Sequence, residues 1–184
     1  MTKDTVLFEN KWISVLEREL DNGIKWTFAT HPWCGAAGVA ILPFRREVVN
    51  PGWNYSELRY LGRVEICPAH SPEPELTAVA GGMDKEGESP IDVAVRELQE
   101  ETGYIATVKD MIPLGDCRPS KGTDTRMFLF AVDVTDLEKS KATGDGSLIE
   151  QLASTKWINK NEAVFCKDPL VSALVGRLDV YLRG

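Results

Sequence analysis

Glu97, Glu100 and Glu101 lie close together in the chain, with Arg96 directly beside the first of them. On a helix, a turn of about 100° per residue gathers the three carboxylates into an arc of roughly 100°, so they share one face. Each like-charged pair at i, i+3 or i, i+4 costs a few tenths of a kcal/mol, and more where water is partly excluded. A hard divalent cation offsets that repulsion directly. Ions such as Mg²⁺ take several oxygen ligands and keep positions open for water and a substrate phosphate. Arg96 can hold one carboxylate in a fixed orientation with its planar fork. The plain alternative is a solvated glutamate-rich face without chemistry.

The neighbouring residues supply a helix to carry this set. Ser89 suits the N-cap, Pro90 the first helical position and Asp92 the positive end of the helix dipole, while Gly103 can end the helix in a left-handed turn. The spacing predicts a helix over 90–102, with Ile91, Val95 and Leu98 as the packing stripe and the glutamates on another face. Strands are expected on both sides. Residues 12–20 and 24–29 read as a β-hairpin turning at Asp21-Asn22-Gly23, and the apolar run 37–44 reads as a buried strand. Residues 45–57 and the proline-rich 68–75 read as loops flanking a strand over 58–67. Further strands are expected over 105–114 and 127–134 and in a segment ending at Trp157-Ile158, with a mobile polar loop over 135–147. Asp168-Pro169 starts a terminal helix on which Leu170, Leu174, Leu178 and Tyr181 recur at helical spacing. Strands alternating with few helices imply an α/β layered domain.

Bulk properties narrow the function. The 184 residues suit one domain with a substantial core and room for a small appendage, and 43% hydrophobic with 27% charged residues is ordinary for a soluble globular chain. A net charge of −7 argues against nucleic acid as the main partner. No stretch approaches the roughly 18 apolar residues of a membrane span, and the N-terminus lacks a secretory pattern, so a cytoplasmic location with no membrane partner is expected. Cys34, Cys67, Cys117 and Cys166 are widely separated and His31 and His70 are the only histidines, which leaves no zinc-binding spacing and favours unpaired thiols.

Gly82, Glu88, Arg96, Glu97, Leu98, Glu100, Glu101 and Gly103 fall in the register G-x5-E-x7-R-E-U-x-E-E-x-G-U, where U is a bulky aliphatic residue. This stretch resembles the Nudix box. A chance match at eight specified positions has a probability on the order of 10⁻⁹ per window for ordinary residue frequencies. The one departure is Tyr104 at the last aliphatic position. The resemblance implies an α/β/α sandwich around a mixed sheet, and hydrolysis of a nucleoside diphosphate linked to another moiety with Mg²⁺ or Mn²⁺ present. It further implies that Glu97 and Glu101 are the main metal ligands, that Glu100 is a further ligand or a base, that Arg96 is the orienting partner, and that Gly81 offers a backbone carbonyl to the metal.

The flanks are similar to the ADP-ribose pyrophosphatase branch of that family. Arg63, the 68–75 loop and ELTAVAGG (75–82) loosely match its upstream pattern, which makes Arg63 the expected diphosphate contact. Downstream, PSKGTDTR (119–126) is similar to the branch segment P-G-x-T-x-E-R, placing Pro119 and Thr123 among the expected substrate contacts; Lys121 and Thr125 depart from it. A base outside the box is expected at Glu150, then Asp145. Trp12, Trp26, Phe28 and Trp33 are candidates for stacking on a base. The hairpin, within an appendage over residues 1–33, resembles the element through which such enzymes form homodimers, leaving 34–184 as the catalytic domain. The implied substrate is ADP-ribose. GDP-sugars, dinucleoside polyphosphates and flavin dinucleotides stand as alternatives, and a non-catalytic nucleotide sensor as a reading from another class.

Overall fold

The computed structural model describes residues 4–50, 55–144 and 152–184. Two sheets form. The smaller joins β1 (Asp4–Glu9), β2 (Ser14–Glu19) and β3 (Lys25–Thr30) in that order. The turn at Asp21-Asn22-Gly23 connects β2 to β3 with Gly23 at φ 78°, a left-handed conformation that glycine adopts without steric cost. The sequence reading missed β1, which makes this a three-stranded sheet and not a hairpin. Every described residue of β1 is exposed, so its sequence carries no alternation of apolar and polar positions from which a strand could be read.

The larger sheet runs β10 (Ser154–Ile158), β5 (Tyr55–Ile66), β4 (Ala37–Asn50), β9 (Arg126–Asp133) and β8 (Met111–Cys117), with β6 (Pro74–Thr77) paired to β5 and β7 (Val79–Gly82) to β4. The β4–β9 pair is parallel and the other pairs are antiparallel, so the sheet is mixed. The apolar run along β4 has a simple cause: both its faces are covered. Val39 and Ile41 join the cluster of Val93, Ala94 and Leu98 from α1 (Pro90–Thr102), whereas Ala40, Leu42 and Phe44 join Leu174, Val175 and Leu178 from the terminal helix α3 (Pro169–Arg183). The expected α/β/α sandwich is therefore the architecture found.

Several boundaries differ from the sequence reading. Residues 45–50, read as loop, extend β4 by pairing with β5, across which Arg59 reaches Glu47 at 2.8 Å, while Arg45 of β4 itself reaches Glu47 at 3.3 Å and lies over the Trp157 ring. The strand expected over 105–114 begins only at Met111, because Asp110 turns back to accept bonds from the Thr107 amide and hydroxyl. A short helix, α2 (Lys160–Val164), was not anticipated, although Asn159 and Glu162 form a reciprocal capping box. On α3 the buried stripe is Val171, Leu174, Val175 and Leu178, and Tyr181 faces outward. All four cysteines are free thiols. Among the described residues no helix is long and apolar enough to cross a membrane.

Candidate active site

The α1 helix forms where the sequence places it, with Ser89 Oγ accepting from the Asp92 amide and Gly103 closing it at φ 80°. Its orientation is the surprise. Ile91 and Val95 are only partly buried, and the buried side consists of Val93, Ala94, Glu97, Leu98, Glu101 and Thr102. Two of the three glutamates thus face the protein, on the side toward β7, and not an exposed opposite face. Glu101 Oε2 accepts from the Ala80 amide at 3.2 Å. A Cβ on Gly81 would lie 2.1 Å from Glu97 Cδ, so only glycine lets this carboxylate lie against the β7 backbone.

Two arginines answer the carboxylates. Arg96 Nη1 reaches Glu97 Oε1 at 2.8 Å and Glu100 Oε2 at 3.0 Å, while its Nη2 reaches Glu88 at 3.2 Å and Asp84 at 3.4 Å. Burial opposes the Arg96 charge, but the hydrogen bond to Glu88 and the charges of Glu97 and Glu100 outweigh it and hold its pKa above the ordinary value. Arg63, only 4% exposed, places Nη1 3.3 Å from Glu101 Oε1 and Nε 3.0 Å from Glu65 Oε2. Desolvation nevertheless dominates at Glu101. Burial pushes its carboxyl up to about 8, against the pull of Arg63 and with the help of the nearby Glu97 and Glu65 charges.

A cavity of about 570 Å³ opens beside these groups, lined by Arg63, Glu100 and Glu101 on one side and by residues 139–144 and 153–155 on the other. The described part of the loop expected to be mobile is pinned to the end of α1. Ser140 donates its amide to the Gly103 carbonyl at 2.8 Å, Gly144 to the Glu100 carbonyl at 2.9 Å, and Lys139 lies over the Tyr104 ring. These bonds satisfy carbonyls that the helix end would leave open, and they bring Lys139 and Lys141 to the cavity rim.

The other expected site residues fall elsewhere. Pro119 is exposed, and Thr123 forms a bridge with Ala29 of β3, flanked by bonds from the Ala29 amide to Gly122 and from the Asp124 amide to Ala29. Neither lines the cavity. Glu150 and Asp145 lie outside the described residues. Of the stacking candidates, Phe28 is buried beneath Arg18, whereas Trp33 packs against Gly82 and meets Trp12 edge-on at 6.1 Å. Sequence reasoning missed Glu65 and Thr77, whose link to Arg63 depends on strand register, and Lys139 and Lys141, which read as ordinary loop charges.

The NUDIX domain model matches residues 62–174, which span the box helix, the cavity and most of the larger sheet. The chain belongs to the NUDIX family. Among solved structures, one titled an ADP compounds hydrolase is similar over 100% of this chain and 94% of its own, with a TM-score of 0.68 at 18% identity. A NUDIX hydrolase from Nitrosomonas europaea is similar over 79% of this chain and 88% of its own, with a TM-score of 0.54 at 22% identity. At these identities the likeness concerns the fold. The search of curated proteins gave no match.

NUDIX hydrolases act on small nucleotide-derived compounds and generally use divalent cations. The donors on α1 suit a hard cation, being all oxygen, and the Gly81 position leaves Glu97 room against β7. Among the described residues, however, no three acidic, histidine or cysteine side chains stand close enough to share one ion. Arg96 draws Glu97 and Glu100 to itself and Arg63 holds Glu101. The repulsion that the sequence led us to assign to a cation is met here by arginine, so repulsion alone does not require a metal. The fit rests on donor chemistry and on the NUDIX register.

Proposed function

We propose that this NUDIX protein hydrolyses the diphosphate bond of a nucleoside diphosphate sugar, with ADP-ribose yielding AMP and ribose 5-phosphate as the leading assignment. The observation that carries the reading is that Arg63, Glu100 and Glu101 line one cavity, so a phosphate-gripping guanidinium and two carboxylates face the same space. Glu97, Glu101, Glu100 and the Gly81 carbonyl would hold Mg²⁺ or Mn²⁺. When bound, such a cation neutralises phosphate oxygens and lowers the pKa of water. Arg96 fixes the directions of Glu97 and Glu100 through its shared Nη1. Arg63 grips diphosphate oxygens in a bidentate manner. Glu100 is the base within the box and Glu150 the base from outside it. Pro119 and Thr123, which lie outside the cavity beside β3, would reach only a part of the substrate that extends beyond it, and Trp12 and Trp33 offer an exposed aromatic edge for a base.

A second diphosphate substrate is favoured by one observation: the segment with the Lys121 and Thr125 departures binds β3 and does not line the cavity. A panel of ADP-ribose, GDP-mannose, diadenosine polyphosphates and flavin adenine dinucleotide, scored by kcat/KM with Mg²⁺ and with EDTA, separates these. ADP-ribose is expected to lead by at least about tenfold, which corresponds to about 1.4 kcal/mol, and EDTA is expected to abolish turnover. Indifference to ADP-ribose removes the leading assignment, and no turnover on any compound favours the sensor reading.

The N-terminal segment 1–33 is proposed as an appendage that pairs two copies. Val6, Leu7 and Phe8 of β1 and Trp26 of β3 are each more than half exposed, large apolar side chains spread over both faces of the small sheet that pairing with a second copy would cover. Light scattering at micromolar concentration is expected to give twice the 20.4 kDa chain mass. A monomer mass refutes the pairing.

A further inference from the structure

We propose that Glu65, supported by Thr77, is a positioning residue that holds the Arg63 guanidinium toward the cavity; the inference rests on the diphosphate reading above. Arg63 is 4% exposed, and a charge so buried must be paired. It is pinned at two nitrogens, Nε to Glu65 Oε2 at 3.0 Å and Nη1 to Glu101 Oε1 at 3.3 Å. Two bonds on different nitrogens of a planar group fix its plane.

The two pins are not equivalent. Glu101 also belongs to the carboxylate set that would hold a cation, and its carboxylate cannot be committed fully to both. Glu65 has no such second duty and does not line the cavity. Its other oxygen accepts from Thr77 Oγ1 at 3.2 Å. The sheet makes this geometry: Arg63 and Glu65 are two apart on β5 and share a face, and Thr77 of β6 stands directly opposite Arg63. When Glu101 turns away, the Glu65–Thr77 pair keeps the buried Arg63 paired and aimed at the space where phosphate oxygens would lie.

The test uses inorganic pyrophosphate with Mg²⁺ as the binding probe, read by calorimetry on the full chain, beside ADP-ribose hydrolysis by the wild type. Glu65→Ala is expected to weaken pyrophosphate binding about tenfold, the loss of one charge-assisted hydrogen bond. Glu65→Gln keeps an acceptor for Nε and is expected to restore most of the affinity. In an Arg63→Ala background, Glu65→Ala is expected to add less than about twofold, because its only route to the ligand is gone. An equal loss with and without Arg63, or no loss in Glu65→Ala, overturns the proposal, as does a wild type that fails to bind pyrophosphate. Where pyrophosphate binds through this coupled pair but no diphosphate compound is hydrolysed, the positioning role stands and the hydrolase reading falls.

Discussion

Glu101→Gln is expected to lower kcat/KM roughly a thousandfold while the fold survives, since cation-based charge stabilisation is worth several kcal/mol. The glutamine keeps the shape of the side chain but cannot supply a full negative charge. Structure should be preserved because the replaced carboxyl is already reluctant to ionise, with burial pushing it up to about 8. That shift has a sign that can be read in cation-free protein. A folded-state pKa raised above the usual 4.5 means that the native protein keeps a proton the unfolded chain releases. Its stabilising contribution is complete below about 4.5 and is lost progressively as pH rises through about 8. In EDTA, the melting temperature of Glu101→Gln should therefore gain on the wild type between about pH 4.5 and 8, with no further gain above that range. Parallel melting curves across that range would show that Glu101 does not titrate as described.

Arg96→Ala is expected to cost about 2 kcal/mol of stability, less than a fully buried pair would because the Arg96 side chain retains 20% exposure. For a chain of this size that lowers the melting temperature by about 4–8 °C. The cause is specific: Glu97, Glu100, Glu88 and Asp84 all lose the one guanidinium they share. Catalysis should fall by about 10–100-fold, as when groups that orient metal ligands are removed. If cation and arginine offset the same repulsion, Mg²⁺ should raise the melting temperature of Arg96→Ala more than that of the wild type. Differential scanning fluorimetry with and without Mg²⁺ checks this, and an equal response in both proteins would separate the two roles.

What the sequence disclosed and what it hid follow from the range of each interaction. The α1 helix was legible from Ser89 to Gly103 because caps act within a few residues, and the box because its spacing is local. The two-sided burial of β4 was legible as an unbroken apolar run. The inward turn of Glu97 and Glu101 was not, since a glutamate reads as polar and its burial depends on Gly81 and Arg63 arriving from other strands. Glu65 was hidden for the same reason, its value fixed by the β5–β6 register. Strand β1 escaped because exposure on both faces leaves no period to detect. The α2 capping box at Asn159 and Glu162, a pair three residues apart, is a local signal of the same legible kind.

The central claim, that the α1 carboxylates hold a divalent cation beside Arg63, is tested most directly by electron paramagnetic resonance of Mn²⁺ titrated into metal-free protein with a non-hydrolysable ADP-ribose analogue. The account predicts saturable uptake by the wild type and affinity weaker by at least about a hundredfold in Glu101→Gln, since losing a group that merely supports a ligand already costs about 10–100-fold. Absence of uptake by the wild type, or equal uptake by both proteins, would contradict it.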